Sequence, residues 1–400
     1  MPKPRSTAIS LLLAFGLLAT AIGVAELRRE DDAPSSTDSP TTRAGSDTPL
    51  TEPDAWTSPA SPTPAALYYD RWETLTSQDG LPSDKVTVVL VDGENLWVGT
   101  DHGLALRRDS EWSYWTEDDG LGHRYVTSLS RDPRSGELWI ATFGGLSRLS
   151  GGTIKNFTQL NSGLMNDVVY DVEVDGDFVC AATAAGTSCL DSRSGNWALY
   201  DHENSIMHEP WCYALTVGGG RLWIGVWGGG VVELDRKTGL WREYRDPDKE
   251  MEIDLMRDDG PLHDVTAFVS WDEGVLWQAT YFGLSRFDGR RWTTYRKKDS
   301  GIPGDFINHV AARGHTAFLG TDEGFGVFDG TTSVAYKRQD DGRCEVTIQR
   351  NGEEPETKTL DSGPADNYVL WSEPGDNDVW VATGKGLSHG YAVADGLLTR

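Results

Sequence analysis

The phrase "LWVGTDHGLAL" at residue 96 returns six more times along the chain, and that recurrence constrains the fold more than any other feature. The other copies are "LWIATFGGLSR" at 138, "VCAATAAGTSC" at 179, "LWIGVWGGGVV" at 222, "LWQATYFGLSR" at 276, "AFLGTDEGFGV" at 317 and "VWVATGKGLSH" at 379. Their spacings are 42, 41, 43, 54, 41 and 62 residues. A period near 42 with two insertions marks a repeat architecture in which each unit buries its apolar face against its neighbours.

Each copy joins a β-rich run to a second short run through a Gly-containing turn, the pattern of a hairpin. The glycine recurs at Gly103, Gly145, Gly186, Gly229, Gly283, Gly324 and Gly386. A position that keeps glycine in every copy is expected to need a positive φ, as in a type I turn closed by a left-handed residue and a bulge. One further strand precedes each hairpin ("VTVVLVDG", "VYDVEVDG") and one follows it ("EWSYWT", "LWREYR", "RWTTYR"), with no helical periodicity between them. Four short antiparallel strands per unit make a propeller blade. "RWETLT" at 71–76 stands before the first full unit, and nothing equivalent follows the seventh. The expected fold is therefore all-β: a seven-bladed β-propeller closed by an N-terminal strand, which removes the open sheet edges.

Domain organisation follows from the remaining segments. Residues 1–25 place Lys3 and Arg5 before the apolar run "AISLLLAFGLLATAIGVA", the pattern of a signal peptide or a retained membrane anchor. Residues 26–67 are rich in Ser, Thr, Pro and Asp and should form a disordered linker, leaving 68–400 for the propeller. The protein is expected to be exported, either periplasmic, secreted or anchored by its N-terminal segment. With 36 basic against 62 acidic residues the formal charge is −26, which disfavours nucleic acid as a partner.

The stretches "DGLPSDKVTVVLVDGENLWVGTDHGLALR" and "LWQATYFGLSRFDGRRWTTY" resemble the two-component-regulator propeller repeat of periplasmic sensor regions in bacterial hybrid histidine kinases. The similarity runs over 71–390, with the third and sixth units degenerate. It implies a sensor-type recognition module. Sensors of that family continue into a further β-domain, a membrane span and a kinase, so signalling here is expected to require a separate protein. A lyase that opens cyclic peptide antibiotics shares the fold and similar phrasing, which keeps an enzyme as the alternative.

Loops linking successive blades and the hairpin turns gather at one mouth of the channel, where propellers bind their partners. Asp84, Asp167, Asp264, Asp305 and Asp366 recur at or beside one loop position and read as turn carboxylates accepting backbone N–H groups. Departures from the repeat point to function: His123, Arg124 and Tyr125 in one loop, His208, Glu209 and Trp211 in another, and His263 in the next. The hairpin turns add Asp101, His102, Phe143, Trp227, Tyr281, Phe282, Asp322, Glu323 and Lys385. Aromatic faces stack on sugar rings or cations, while carboxylates and imidazoles hydrogen-bond hydroxyls. The expectation is a non-catalytic module recognising a small molecule, a glycan or a protein at this mouth. The alternative is a lyase or hydrolase with His208 or His263 beside Glu209 as acid and base. No zinc motif is present, no cofactor is expected, and calcium or magnesium has only weak support from the acidic insert at 246–259.

Cys180 and Cys189 lie on the two arms of the third hairpin. A two-residue turn at 184–185 sets them opposite one another for a disulfide; a three-residue turn including Gly186 sends them to opposite faces. Cys212 and Cys344 have no evident pairing. The insert at 339–363 is readable as an extra hairpin beside the sixth blade.

Overall fold

The computed structural model describes residues 68–246 and 260–392. The apolar N-terminal segment, the linker before Tyr68 and most of the acidic insert lie outside the described residues. Among the described residues no helix is long and apolar enough to cross a membrane.

Seven antiparallel sheets follow one another along the chain. Their innermost strands are Val86–Asp92, Val126–Arg131, Val169–Asp175, Cys212–Gly218, Thr266–Asp272, Ile307–Arg313 and Val369–Pro374. Five blades are four-stranded and drawn from consecutive sequence. The seventh takes its outer strand from Tyr69–Leu75, which pairs antiparallel with the last strand, Gly386–Ala392. Trp72 stands opposite Gly390, whose missing side chain leaves room for the indole.

Blade six has six strands. The insert supplies the extra pair, Cys344–Arg350 and Glu356–Leu360. This hairpin packs against the closing strand: Val346, Ile348 and Cys344 share one buried cluster with Tyr69 and Trp72. At the same junction the Tyr336 hydroxyl accepts a 2.6 Å hydrogen bond from the Tyr69 backbone N–H. The insert therefore buttresses the closure.

The hairpin turn differs from the sequence expectation. In six blades the turn holds two residues and the glycine follows it, opening the returning strand in blades one, two, three and seven, as in the Thr100↔Gly103 and Thr183↔Gly186 pairs, and standing just before it in blades five and six. The Thr100 hydroxyl donates to the Gly103 carbonyl at 3.0 Å and accepts the His102 N–H at 3.0 Å. Thr142, Thr183, Thr280, Thr321 and Thr383 repeat this staple. Gly103 has φ +115° and Gly145 φ +120°, and a Cβ at either would meet the outer strand's carbonyl oxygen at about 2.5 Å. Glycine is thus fixed by dihedral and by close approach together. Blade four lacks the threonine, its turn is one residue longer, and the paired glycine is Gly230 in place of Gly229.

The two-residue turn decides the cysteine question. Cys180 pairs with Cys189 and the two form a disulfide, while Cys212 and Cys344 are free and buried. The same cross-strand position holds Trp139 with Arg148, Trp277 with Arg286 and Trp380 with His389 in other blades. Blade three thus replaces a large inter-blade side chain with a covalent link. Replacing both cysteines by serine should lower unfolding free energy by about 2–3 kcal/mol, the scale for so short a closed loop. Denaturant unfolding of the variant, and of the parent with and without reductant, checks this; a loss below about 1 kcal/mol contradicts it.

Candidate functional site

Every innermost strand starts with the same irregularity. The ladder slips one residue between its first and third positions, for example between Val169 and Asp171 and between Ile307 and His309. All seven inner strands carry it. Such a bulge re-aims side chains. It divides what faces the axis into a mouth layer above and a channel layer below.

The loops feeding the mouth are held by the recurring aspartates, as expected. Asp84 accepts the Ser77 N–H at 2.6 Å, Asp167 the Gln159 N–H at 2.7 Å and Asp305 the Lys297 N–H at 2.7 Å. Asp264 accepts the Asp246 N–H at 2.7 Å and both Nε and a terminal nitrogen of Arg245. Asp366 accepts the Asn367 N–H at 3.0 Å and Lys385 Nζ at 3.1 Å.

Two of the four mouth histidines serve the same local purpose. His123 Nδ1 accepts the Tyr125 N–H at 3.0 Å and His263 Nδ1 accepts the Val265 N–H at 2.9 Å. Ser83 and Asn166 do this work in other loops. His263 is buried and stacks on Phe282 at 4.1 Å, and burial lowers its pKa. His208 is exposed, with Nε2 3.3 Å from Glu243 Oε1. Exposed Glu209 approaches Gly228 through its Cγ. Among the described residues no hydrogen bond or ion pair links His208, Glu209 and His263 to one another.

His102 Nδ1 is 2.8 Å from Asp101 Oδ1. Burial raises the Asp101 pKa, but hydrogen bonds from His102 and Ser83 outweigh it and hold the carboxyl below its ordinary value. Asp322 and Glu323 are exposed; burial and the Glu323 charge raise the Asp322 pKa, and Glu323 pairs with Lys297. The Arg124 side chain is exposed, and its backbone carbonyl accepts the Gly103 N–H. Trp211 is half-buried, its carbonyl accepting the Trp227 N–H.

The aromatic candidates do converge. Tyr125 stacks on Phe143 at 4.8 Å, and Phe143 meets Tyr170 edge-on at 6.2 Å. Tyr170 stacks on Tyr213 at 4.4 Å, and Tyr213 contacts Trp227 at 4.8 Å. Trp227 meets Tyr281 at 5.2 Å, and Tyr281 stacks on Phe306 at 3.8 Å. Tyr368 influences both Tyr125 and Tyr281 electrostatically, and Lys85 Nζ sits 5.2 Å over the Tyr125 ring. A collar of rings therefore runs round most of the mouth, half-buried throughout. Burial raises the hydroxyl pKa values of Tyr125, Tyr213 and Tyr281, so these groups stay protonated donors.

Below the collar, the channel holds a cavity of about 290 Å³ lined by the inner strands of blades two to seven. Phe268, His309 and Trp371 cluster on one side, His309 lying 3.9 Å from Trp371 and 4.4 Å from Phe268 between ring centres. His309 Nδ1 accepts the Ser372 N–H, and burial drives its pKa down to about 3, so the imidazole is neutral. On the other side Asp171 ties three blades together. It accepts the Ser128 hydroxyl at 2.6 Å, the Val172 N–H at 2.9 Å and the Leu215 N–H at 2.9 Å. Burial still raises its pKa to about 6 against those bonds. Glu173 and Glu373 lie one pleat further along the same strands; burial raises their pKa values to about 8 and about 7.

No family model matches the sequence, and no curated protein matches it. Among solved structures, the extracellular domain of the hybrid two-component system BT3049 from B. thetaiotaomicron superposes with a TM-score of 0.60 at 16% identity, covering 81% of this chain and 42% of that one. Virginiamycin B lyase from Staphylococcus aureus gives 0.55 at 12% identity, over 81% and 99% of the two chains. YCF48 from Cyanidioschyzon merolae gives 0.53 at 11%, over 80% and 98%. The likeness is one of fold. It accords with the repeat resemblance, since a two-component extracellular domain stands among the structural neighbours. The chain spans less than half of that domain, and a two-component extracellular domain, a lyase and a third protein share the scaffold, so chemistry must be argued from this chain's own side chains.

Of the sequence candidates, the mouth gathers Tyr125, Phe143, Trp227 and Tyr281 into one surface. Tyr170, Tyr213, Phe306, Tyr368 and the whole channel layer escaped the sequence reading. Their signal lay in the inner strands. Immediately before the first strand residue the seven copies carry Lys85, Tyr125, Val168, Trp211, Val265, Phe306 and Tyr368. At the third they carry Val88, Ser128, Asp171, Ala214, Phe268, His309 and Trp371. Variation at fixed register within a repeat marks positions free of folding constraints.

Proposed function

We propose that this chain is an exported recognition module of sensor type, binding a neutral, polyhydroxylated ligand at the collared mouth without transforming it. The observation that carries this reading is the unbroken run of ring contacts from Tyr125 to Phe306. Half-buried tyrosine and tryptophan rings offer apolar faces to C–H groups and polar edges to hydroxyls. The acidic surface works against anionic ligands. The histidines support recognition better than acid–base work, since His123 and His263 spend Nδ1 on loop backbone.

The test is binding of the full chain to arrayed neutral oligosaccharides, followed by calorimetry on the best of them. Trp227→Ala with Tyr281→Ala should weaken that affinity by at least about tenfold, which is about 1.4 kcal/mol. Leu240→Ser, at an exposed turn, serves as the control and should change nothing. Absence of any bound oligosaccharide, or equal affinity in the double variant, refutes the reading.

A further inference from the structure

Carboxyl groups border the channel with no basic side chain beside them in its lining. Nineteen residues line the cavity, and none is Lys or Arg. His309 is held neutral, and Asp171 is saturated by three donors from the protein. Glu173 and Glu373 are different. Among the described residues no hydrogen bond or ion pair reaches the Glu173 carboxylate, and the only group favouring ionised Glu373 is the Val91 backbone N–H. Both glutamates are desolvated by the channel wall, and the surface each keeps borders the cavity. They also sense one another across the axis. Unpaired carboxylates in such a place are unfavourable unless protonated or matched by a cation.

The rest of the wall indicates which cation. Among the described residues no three His, Cys, Asp or Glu side chains stand close enough to hold a metal ion together. Two residues up the strand from Glu373, on the same face, stands Trp371, with Phe268 5.2 Å away and edge-on. An aromatic layer above a carboxylate layer suits a ligand with an apolar stem and a charged amine head. A volume of about 290 Å³ limits that ligand to a small molecule.

We propose that the channel binds a small alkylammonium ion, its amine between Glu173 and Glu373 and its stem against Trp371 and Phe268. The site lies below the mouth and uses none of the collar residues, so it stands or falls independently of recognition at the collar.

Calorimetry of the full chain at neutral pH with n-butylammonium chloride tests this, with 1-butanol and calcium chloride as comparisons. The expected result is saturable one-to-one binding of n-butylammonium, with 1-butanol at least about tenfold weaker and calcium not competing. Glu173→Gln with Glu373→Gln should weaken binding by about a hundredfold or more. Because the cation draws the glutamates into their ionised form, binding should release protons, read as different heats in buffers of different ionisation enthalpy. Ala311→Leu fills the lined space while keeping both carboxylates, and should abolish binding even if the glutamine pair does not fold. Trp227→Ala should leave n-butylammonium affinity unchanged. Absence of saturable binding, equal affinity in the glutamine pair or in Ala311→Leu, or displacement of the amine by calcium overturns the proposal.

Discussion

Trp72→Ala should lower unfolding free energy by about 3–5 kcal/mol, the scale for removing a large, well-packed aromatic side chain. Trp72 is 6% exposed and lies on Tyr336, Phe325 and Tyr69 at ring distances of 5.4, 6.1 and 6.2 Å. Its indole N–H donates to the Tyr69 carbonyl, and Ser362 from the blade-six insert donates to the Trp72 carbonyl. Loss of the ring leaves a void at the one junction where the two ends of the ring of sheets meet. The damage should be local as well as global. Amides of Gly386–Ala392 should exchange far faster in the variant than amides of blade four. Denaturant unfolding with hydrogen exchange measures both, and a loss below about 1 kcal/mol would show that the closure does not depend on this side chain.

The second large effect is an unusual pH dependence. Burial raises the carboxyl pKa values of Glu173 and Glu373 to about 8 and about 7, with the charges of Asp171, Asp175 and Glu373 adding to the rise at Glu173. Asp175 is itself paired with Arg236, and the neighbouring His309 is neutral. The folded protein therefore holds protons that the unfolded chain has already lost at neutral pH. The stability contributed by the protonated pair is complete below the ordinary glutamate range and disappears as pH rises through about 7 to about 8. Every tenfold difference in proton affinity between the folded and unfolded chain corresponds to about 1.4 kcal/mol.

Lower down, His309 acts in the opposite sense. Its pKa is lowered to about 3, so acidification below the ordinary histidine range favours the unfolded chain. The melting temperature should rise as pH falls from about 8.5 toward the ordinary glutamate range, since the two glutamates and Asp171 together outweigh His309, and decline only on acidification below that range. Glu173→Gln with Glu373→Gln should flatten the upper limb. A melting temperature that is constant over that limb, or one with the same slope in the glutamine pair, would contradict the assignment.

The repeat, its period and the N-terminal strand without a counterpart were legible because folding itself writes them: Trp72 has no equivalent after Gly386, and the strand that ends the chain's last sheet needs one. The turn was misread because glycine at a recurring position has two causes. The left-handed bulge is one, and close approach to an outer carbonyl is the other; the Thr staple three residues earlier tells them apart. The cysteine pair followed from the same point. The loops drew attention to histidines whose ring nitrogens serve local backbone, as at His123 and His263. Asp171, Glu173 and Glu373 were passed over because an alternating strand carries channel-facing residues in the same register as solvent-facing ones, and sequence alone does not tell a lumen from bulk water.

Pairing the first strand with the last also sets an order of events. Tyr69 and Ala392 stand at opposite ends of the folded chain yet share a ladder, so the contact that completes the ring has nearly the longest sequence separation the domain allows. Such contacts form slowly. A chain synthesised from its N-terminus carries Tyr69–Leu75 without a partner until the final hairpin has been made, and Val346 and Ile348 of blade six become available only shortly before it. Until then that segment is an unprotected edge, the form most open to chaperones and to pairing with another copy.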